Sequence, residues 1–192
     1  DFMRDQDPSN LDAEPPATLR LPNLKDKLNE AFGEDKLEIL GMDSCLMSMA
    51  EICYELRDSV QYLIGAEGFE LQGGWPYHSI LEALSADTAM DAKELAKTIV
   101  IRYSNYYSDY MIAGISVDQA ACDLSKMNTL ADAIRALANL LIVALNKKIT
   151  QEAIIMAHWR AQSYKFDLYT DLWDFCDLLL KECRLFSEAG VK

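Results

Sequence analysis

Histidine is scarce in this 192-residue sequence, and basic residues are far fewer than acidic ones. Two histidines, His78 and His158, are too few for a His/Cys metal cluster, and no pair or quartet among Cys45, Cys53, Cys122, Cys176 and Cys183 has zinc-finger spacing. An odd number of widely spaced cysteines, mostly inside apolar stretches, also argues against a disulfide framework. Lys and Arg number 18 against 31 Asp and Glu, a net charge of −13 that repels phosphate backbones and anionic lipid while attracting cationic peptides. No nucleic-acid partner is expected. Uninterrupted apolar runs fall short of the roughly 18–20 residues that span a bilayer, and the acidic N-terminus is not a basic stretch leading into an apolar one, so no membrane span is expected either.

The sequence does have apolar content, 51% of residues, enough for one compact domain with a sizeable core. Residues 1–20, with Pro8, Pro15 and Pro16 and no apolar periodicity, read as a mobile arm or a processed N-terminus. The start at Asp1-Phe2-Met3 fits a processed or truncated product. The remainder, 21–192, carries the periodic elements. Leu24, Leu28 and Phe32 mark a short helix with Pro22 in its first turn. Leu37 to Leu40 and Val60 to Ala66 are strand candidates, and Leu46, Met49, Ala50, Cys53 and Tyr54 follow the first of them at helical spacing.

A Gly-rich loop through Gly68, Gly73 and Gly74 leads to Trp75-Pro76-Tyr77. Helices are expected from His78 to Leu84 and from Met90 to Tyr107, the second with Arg102 in an otherwise apolar stripe of Leu95, Ile99, Tyr103 and Tyr106. Met111 to Cys122 is expected to add a strand or two. Leu130 to Leu145 spaces its leucines for a long helix, Thr150 suits the cap of another through Trp159, and Leu168 to Leu185 closes the chain with Leu172, Phe175, Leu179 and Leu180 on one side. Strands alternating with helices predict an α/β fold, a mostly parallel sheet covered on both faces. Sites in such folds form beyond the carboxyl ends of the strands, which singles out the turns from Met42 to Cys45 and from Glu67 to Tyr77.

Cys45 follows the first strand and is expected to open the next helix, where backbone N–H groups and the helix dipole favour a thiolate. A buried, inert thiol is the alternative, since free cysteines commonly pack as small hydrophobes. The surrounding run Leu40-Gly41-Met42-Asp43-Ser44-Cys45-Leu46-Met47-Ser48-Met49-Ala50-Glu51 resembles the segment around the catalytic cysteine of the clostripain family of cysteine peptidases. Tyr62-Leu63-Ile64-Gly65-Ala66-Glu67, then Glu70, then Gly74-Trp75-Pro76-Tyr77 is similar to that family's next strand and substrate-side loop. Ala121-Cys122-Asp123-Leu124-Ser125-Lys126 and Tyr169-Thr170-Asp171-Leu172-Trp173-Asp174-Phe175 resemble two further segments in the family's order.

The resemblance implies a caspase-like three-layer α/β/α sandwich and a cysteine endopeptidase that cuts after Arg or Lys with a Cys/His dyad. Cys45 would be the nucleophile. The family's histidine belongs to a His-Gly turn upstream of the cysteine, and this sequence has none there; His78 reads as a surface helix-start residue and His158 as a packed helix residue. The resemblance therefore implies an upstream segment or a separate light chain that supplies the histidine after autoprocessing, in a secreted or periplasmic bacterial protein.

Substrate-binding candidates on the same grounds are Asp43, Ser44, Glu67, Glu70, Gly73 and Trp75. Asp43 matches an acidic position at the base of the pocket for the substrate's basic side chain, and the same carboxylate could also cap a helix. Where the family often has a second aspartate before Gly-Trp-Pro-Tyr, this sequence has Gly73, so Glu67 or Glu70 would have to compensate. No cofactor is called for with certainty; calcium, which the family prototype needs, is a candidate with no ligand assigned. Two other readings fit the sequence: a non-catalytic relative that binds peptides or a protein, and an acidic α/β interaction domain with Cys45 in its core.

Overall fold

A computed structural model describes residues 3–4, 18–164 and 168–182. Most of the expected N-terminal arm, and Cys183 to Leu185 at the end of the last expected helix, lie outside the described residues. The elements in chain order are β1 (Met3–Arg4), β2 (Thr18–Leu19), α1 (Leu21–Phe32), β3 (Leu37–Gly41), α2 (Ala50–Leu56), β4 (Val60–Gly65), α3 (Tyr77–Ala86), α4 (Ala92–Tyr106), α5 (Ser108–Ile112), β5 (Ala120–Asp123), α6 (Met127–Ala144), α7 (Lys148–Arg160), β6 (Ser163–Tyr164), β7 (Tyr169–Thr170) and α8 (Leu172–Glu182). They divide into two compact units, 1–128 and 129–192.

In the first unit, β3, β4 and β5 form a three-stranded sheet in that order. β3 runs parallel to β4 with Ile39 opposite Tyr62, and β5 runs antiparallel to β4 with Leu63 opposite Cys122. The expected mostly parallel sheet is thus a mixed one among the described residues, because β5 is reached through α3, α4 and α5 and returns in the opposite direction. Val60, Leu63 and Ile64 of β4 are wholly buried. Ile64 joins Trp75, Ile80, Ala96, Ile99, Tyr103 and Tyr107 in one apolar cluster. Leu63 points the opposite way along the strand, so β4 is covered on both faces.

α4 shows why Arg102 was out of place in an apolar stripe: Ala96, Ile99 and Tyr103 are its buried residues, and Arg102 is exposed. Asp91 caps it by accepting from the Glu94 N–H at 2.8 Å. The segment expected to give strands between Met111 and Cys122 gives β5 alone, preceded by the short helix α5.

In the second unit, Ile154, Ala157 and Ala161 pack on Leu178 and Leu179, flanked by Leu137, Leu140, Leu141, Ala144 and Phe175. Leu180, expected on the inner side of α8, is 45% exposed. Thr150 does not cap α7 but sits inside it, its hydroxyl donating back to the Lys147 carbonyl at 2.8 Å and to that of Ala144. The helical stretch Leu124–Ala144 contains 18 consecutive residues with a mean hydropathy of 1.3, long and apolar enough by length and composition to cross a membrane. An uninterrupted-run criterion misses it because Asp132 and Arg135 break the run while the mean stays high.

Candidate functional site

β3 and β4 are parallel, so the segments leaving their carboxyl ends, 42–49 and 66–76, emerge side by side, and antiparallel β5 begins at the same edge with Ala120 opposite Gly65. The two segments are stitched together by backbone bonds: Met42 N–H to the Ile64 carbonyl at 2.8 Å, Leu46 N–H to that of Gly68 at 2.9 Å, and Ser48 N–H to that of Ala66 at 3.1 Å. A Cβ on Gly65 would lie 3.0 Å from the Met47 Cβ, so the absence of a side chain there lets the segments approach this closely.

This stitching overturns the expectation that Cys45 opens a helix. α2 starts at Ala50, and between it and Cys45 stands Leu46 with φ 64°, a left-handed conformation that no α-helix contains. The cysteine turn takes its partners from the β4 loop instead of coiling. Cys45 is therefore not at the first turn of a helix; the backbone N–H of Glu70 donates to its Sγ at 3.2 Å. The Glu70 carbonyl lies 4.0 Å from the same sulfur, which is half-buried.

Asp43 is exposed and caps no helix. Its Oδ2 accepts the Trp75 N–H at 3.1 Å and the Tyr77 hydroxyl at 2.9 Å, so one carboxylate oxygen fastens the far end of the loop while the other is not engaged by either bond. Burial, then the Asp43 carboxylate, pushes the Tyr77 phenol up to about 12. Ser44 sits in a tight turn, its N–H bonded to the Met42 carbonyl at 2.8 Å. Gly73 lacks a side chain for a steric reason: a Cβ there would meet the Tyr107 hydroxyl at 2.5 Å. That hydroxyl donates to the Gly74 carbonyl at 2.7 Å. The outer edge of the Trp75 indole reaches β3 so closely that a Cβ at Gly41 would be 2.8 Å from it, and the indole stacks at 6.2 Å on Tyr77.

Glu67 is half-buried and its backbone N–H donates to Asp118 Oδ1 at 2.6 Å, with the Gly68 N–H reaching the same carboxylate at 3.0 and 3.2 Å. Asp118 escaped the sequence reading because a lone carboxylate before β5 belongs to no motif; its role depends on a loop 50 residues earlier in the chain. The carboxylate oxygens of Glu70 are buried, as are the Tyr103 hydroxyl and the Trp75 indole N–H, and none meets full hydrogen-bond geometry. Burial raises the Glu70 carboxyl above its usual range; the Tyr103 hydroxyl opposes that, Asp43 adds to it and the Trp75 indole opposes it more weakly. Burial and the Glu70 carboxylate push the Tyr103 phenol up in turn.

The structure thus brings Asp43, Ser44, Cys45, Glu70, Gly73 and Trp75 into one constellation and anchors Glu67 beside it through its backbone. Both histidines are engaged elsewhere: His78, 90% exposed in its side chain, pairs with Glu82 at 3.3 Å, and His158 Nε2 lies 3.2 Å from the Thr170 hydroxyl. Among the described residues, no three His, Cys, Asp or Glu side chains gather as a metal site would require, and no residue is assigned to calcium.

The sequence model of the Clostripain family matches residues 10–188. The chain belongs to the clostripain family. A clostripain from Bacteroides thetaiotaomicron, solved with the peptide inhibitor BTN-VLTK-AOMK, is similar with a TM-score of 0.58 at 17% identity, over 97% of this chain and 76% of that one. A secreted cysteine protease from the same species, solved with an irreversible peptide inhibitor, gives 0.50 at 26% identity over 64% of this chain and 35% of the other. A B. fragilis cysteine protease gives 0.48 at 25% identity over 62% of this chain, which spans about half, 49%, of that protein. No match was found among curated proteins. The chain is therefore a mixed α/β member of a family of cysteine proteases, and Cys45 stands in the segment that carried the resemblance.

Proposed function

We propose that this chain is the cysteine-bearing part of an endopeptidase that cleaves after Arg or Lys, with Cys45 as nucleophile and the histidine contributed by an upstream segment or a light chain. The observation that carries the reading is the placement of Asp43: an exposed carboxylate two residues from the sulfur, with both of its hydrogen bonds on a single oxygen. The second oxygen is thereby left to meet a cationic side chain beside the nucleophile. Glu67 adds negative charge to the same loop, whereas the Glu70 carboxylate is shut off from solvent and does not itself face a substrate. Trp75 and Gly73 shape the wall on the far side, and Ser44 holds the turn between the pocket carboxylate and the sulfur.

In this reading the Cys45 thiolate attacks the scissile carbonyl carbon, forming a C–S bond, while backbone N–H groups of the turn hold the oxyanion. The imidazolium of the contributed histidine gives its proton to the departing amine. Water then attacks the thioester, the imidazole takes the water's proton, and the thiolate leaves. The substrate class is a peptide or protein with a basic residue at the cleavage point; a lysine stands in the inhibitor bound to the B. thetaiotaomicron clostripain. A secreted or periplasmic location follows the description of one relative as secreted.

The test is selective alkylation. An arginyl or lysyl chloromethyl ketone is expected to label Cys45 at least about tenfold faster than a norleucyl analogue, the worth of one charge-assisted contact, and Asp43→Asn should collapse the ratio. Equal rates for the cationic and neutral reagents, with the protein and any copurifying segment folded, would sink the basic pocket and favour the peptide-binding reading.

A further inference from the structure

The loop from Glu70 to Trp75 is held at both ends on the turn that carries Cys45: Glu70 N–H on the sulfur at 3.2 Å, Trp75 N–H on Asp43 at 3.1 Å. Between those ends the loop is also tied from inside. The Glu70 side chain does not follow its backbone to the surface; both carboxylate oxygens are shut off from solvent. The Tyr103 hydroxyl of α4 and the Trp75 indole N–H, both equally shut off, lie close enough to act on that carboxylate as donors. Tyr103 is wholly buried and Trp75 is 8% exposed, so the groups around the carboxylate belong to the apolar core of the first unit. A carboxylate sunk among aromatic residues beside Asp43 and Asp118 costs stability.

We propose that Glu70 is a positioning residue: its side chain, lodged between Tyr103 and Trp75, fixes its own backbone N–H on the Cys45 sulfur and so stabilises the thiolate that makes the attack. The inference rests on Cys45 being the reacting sulfur, and it supplies what the missing helix N-terminus does not, a backbone donor aimed at the thiolate. The side chain reaches the sulfur only through its main chain. Its own negative charge works in the opposite direction, because an anion near a thiolate disfavours it. The two effects have opposite signs in an experiment.

The measurement is the rate of Cys45 alkylation by iodoacetamide against pH, followed by peptide-resolved mass spectrometry. Iodoacetamide is neutral and needs neither a basic pocket nor a histidine, so its outcome is independent of the substrate reading. Glu70→Ala is expected to slow alkylation at pH 7 about tenfold, the loss of one charge-assisted hydrogen bond, and to displace the rate profile to higher pH with the same plateau. Tyr103→Phe, which keeps the ring and all formal charges, should displace it in the same direction by less. Faster alkylation in Glu70→Ala would mean that the side chain acts only by its charge and would overturn the proposal, as would an unchanged profile in both variants. Should Glu70→Ala fail to fold, Tyr103→Phe decides alone: a shift upward supports the positioning role and no shift refutes it. Loss of selectivity for cationic ketones with the iodoacetamide shift intact would remove the basic pocket and leave this inference standing.

Discussion

Replacing Asp118 with Ala removes the acceptor of two loop N–H groups, and the size of the effect follows from their different surroundings. The Glu67 N–H, 2.6 Å from Oδ1, belongs to a half-buried residue and can turn to water. The Gly68 N–H, bonded at 3.0 and 3.2 Å, belongs to a buried residue and has no such recourse. An orphaned buried donor costs about 1–3 kcal/mol, and a hydrogen bond to a charged partner is worth about 1.5–3, discounted here because Asp118 is itself partly exposed. The expected loss is about 2–3 kcal/mol, which lowers a urea midpoint by about 1 M at a typical slope. Asp118→Asn keeps an Oδ1 able to accept both bonds without charge and should lose less than half as much. Tryptophan fluorescence suits the assay, since Trp75 is 8% exposed beside this loop while Trp159 and Trp173 are 78% and 76% exposed and should change less on unfolding. A midpoint for Asp118→Ala within about 0.3 M of the parent at an unchanged slope, or equal losses for Ala and Asn, would refute the reasoning.

Gly74→Ala should be costly for its size, because φ is +65° and the new Cβ would stand 2.8 Å from Asp43 Oδ2. A loss of about 1–2 kcal/mol for the left-handed backbone, together with reduced selectivity for cationic over neutral chloromethyl ketones, is expected; an unchanged melting temperature and ratio would contradict it. For Glu70 the sign is fixed by burial: its folded-state carboxyl titrates above its unfolded value, so its contribution to stability is fully present below the ordinary carboxylate range and is lost as pH rises through the raised value. Glu70→Gln should therefore melt higher than the parent at neutral pH, the gap closing as the solution is acidified, and thermal melts across pH 4–8 that show a constant or reversed gap would argue against a desolvated carboxylate.

Much of the backbone in both units is legible in the sequence. Leu21–Phe32 and the two parallel strands were bounded by their periodicity and by glycines, and Leu130 to Leu145 declared its helix through leucine spacing. What periodicity could not supply was tertiary in origin. The turn at Cys45 looked helical because Met49, Ala50 and Cys53 do share a face, yet Leu46 is held at φ 64° by a bond to Gly68 that only the folded loop provides. Thr150 was expected as a cap because hydroxyls favour that role, and it instead bonds back to the preceding turn. The family resemblance picks out candidate residues that the structure brings close together, whereas the contacts each one makes are not legible in the sequence: Asp43 as a fastener, Gly73 as a clearance for Tyr107, and Asp118 as a partner to Gly68 each depend on residues 30 or more positions away.

One oxygen of Asp43 serves Trp75 and Tyr77 together. Under the proposed basic specificity, retuning toward neutral or acidic side chains faces a tied choice, since the carboxylate that would be swapped to change preference is also the acceptor that fastens the loop. A successful redesign would have to install a new acceptor for the indole-bearing residue's amide before, or along with, the change of charge, and single substitutions at this position should yield slack, poorly discriminating proteins in place of redirected ones.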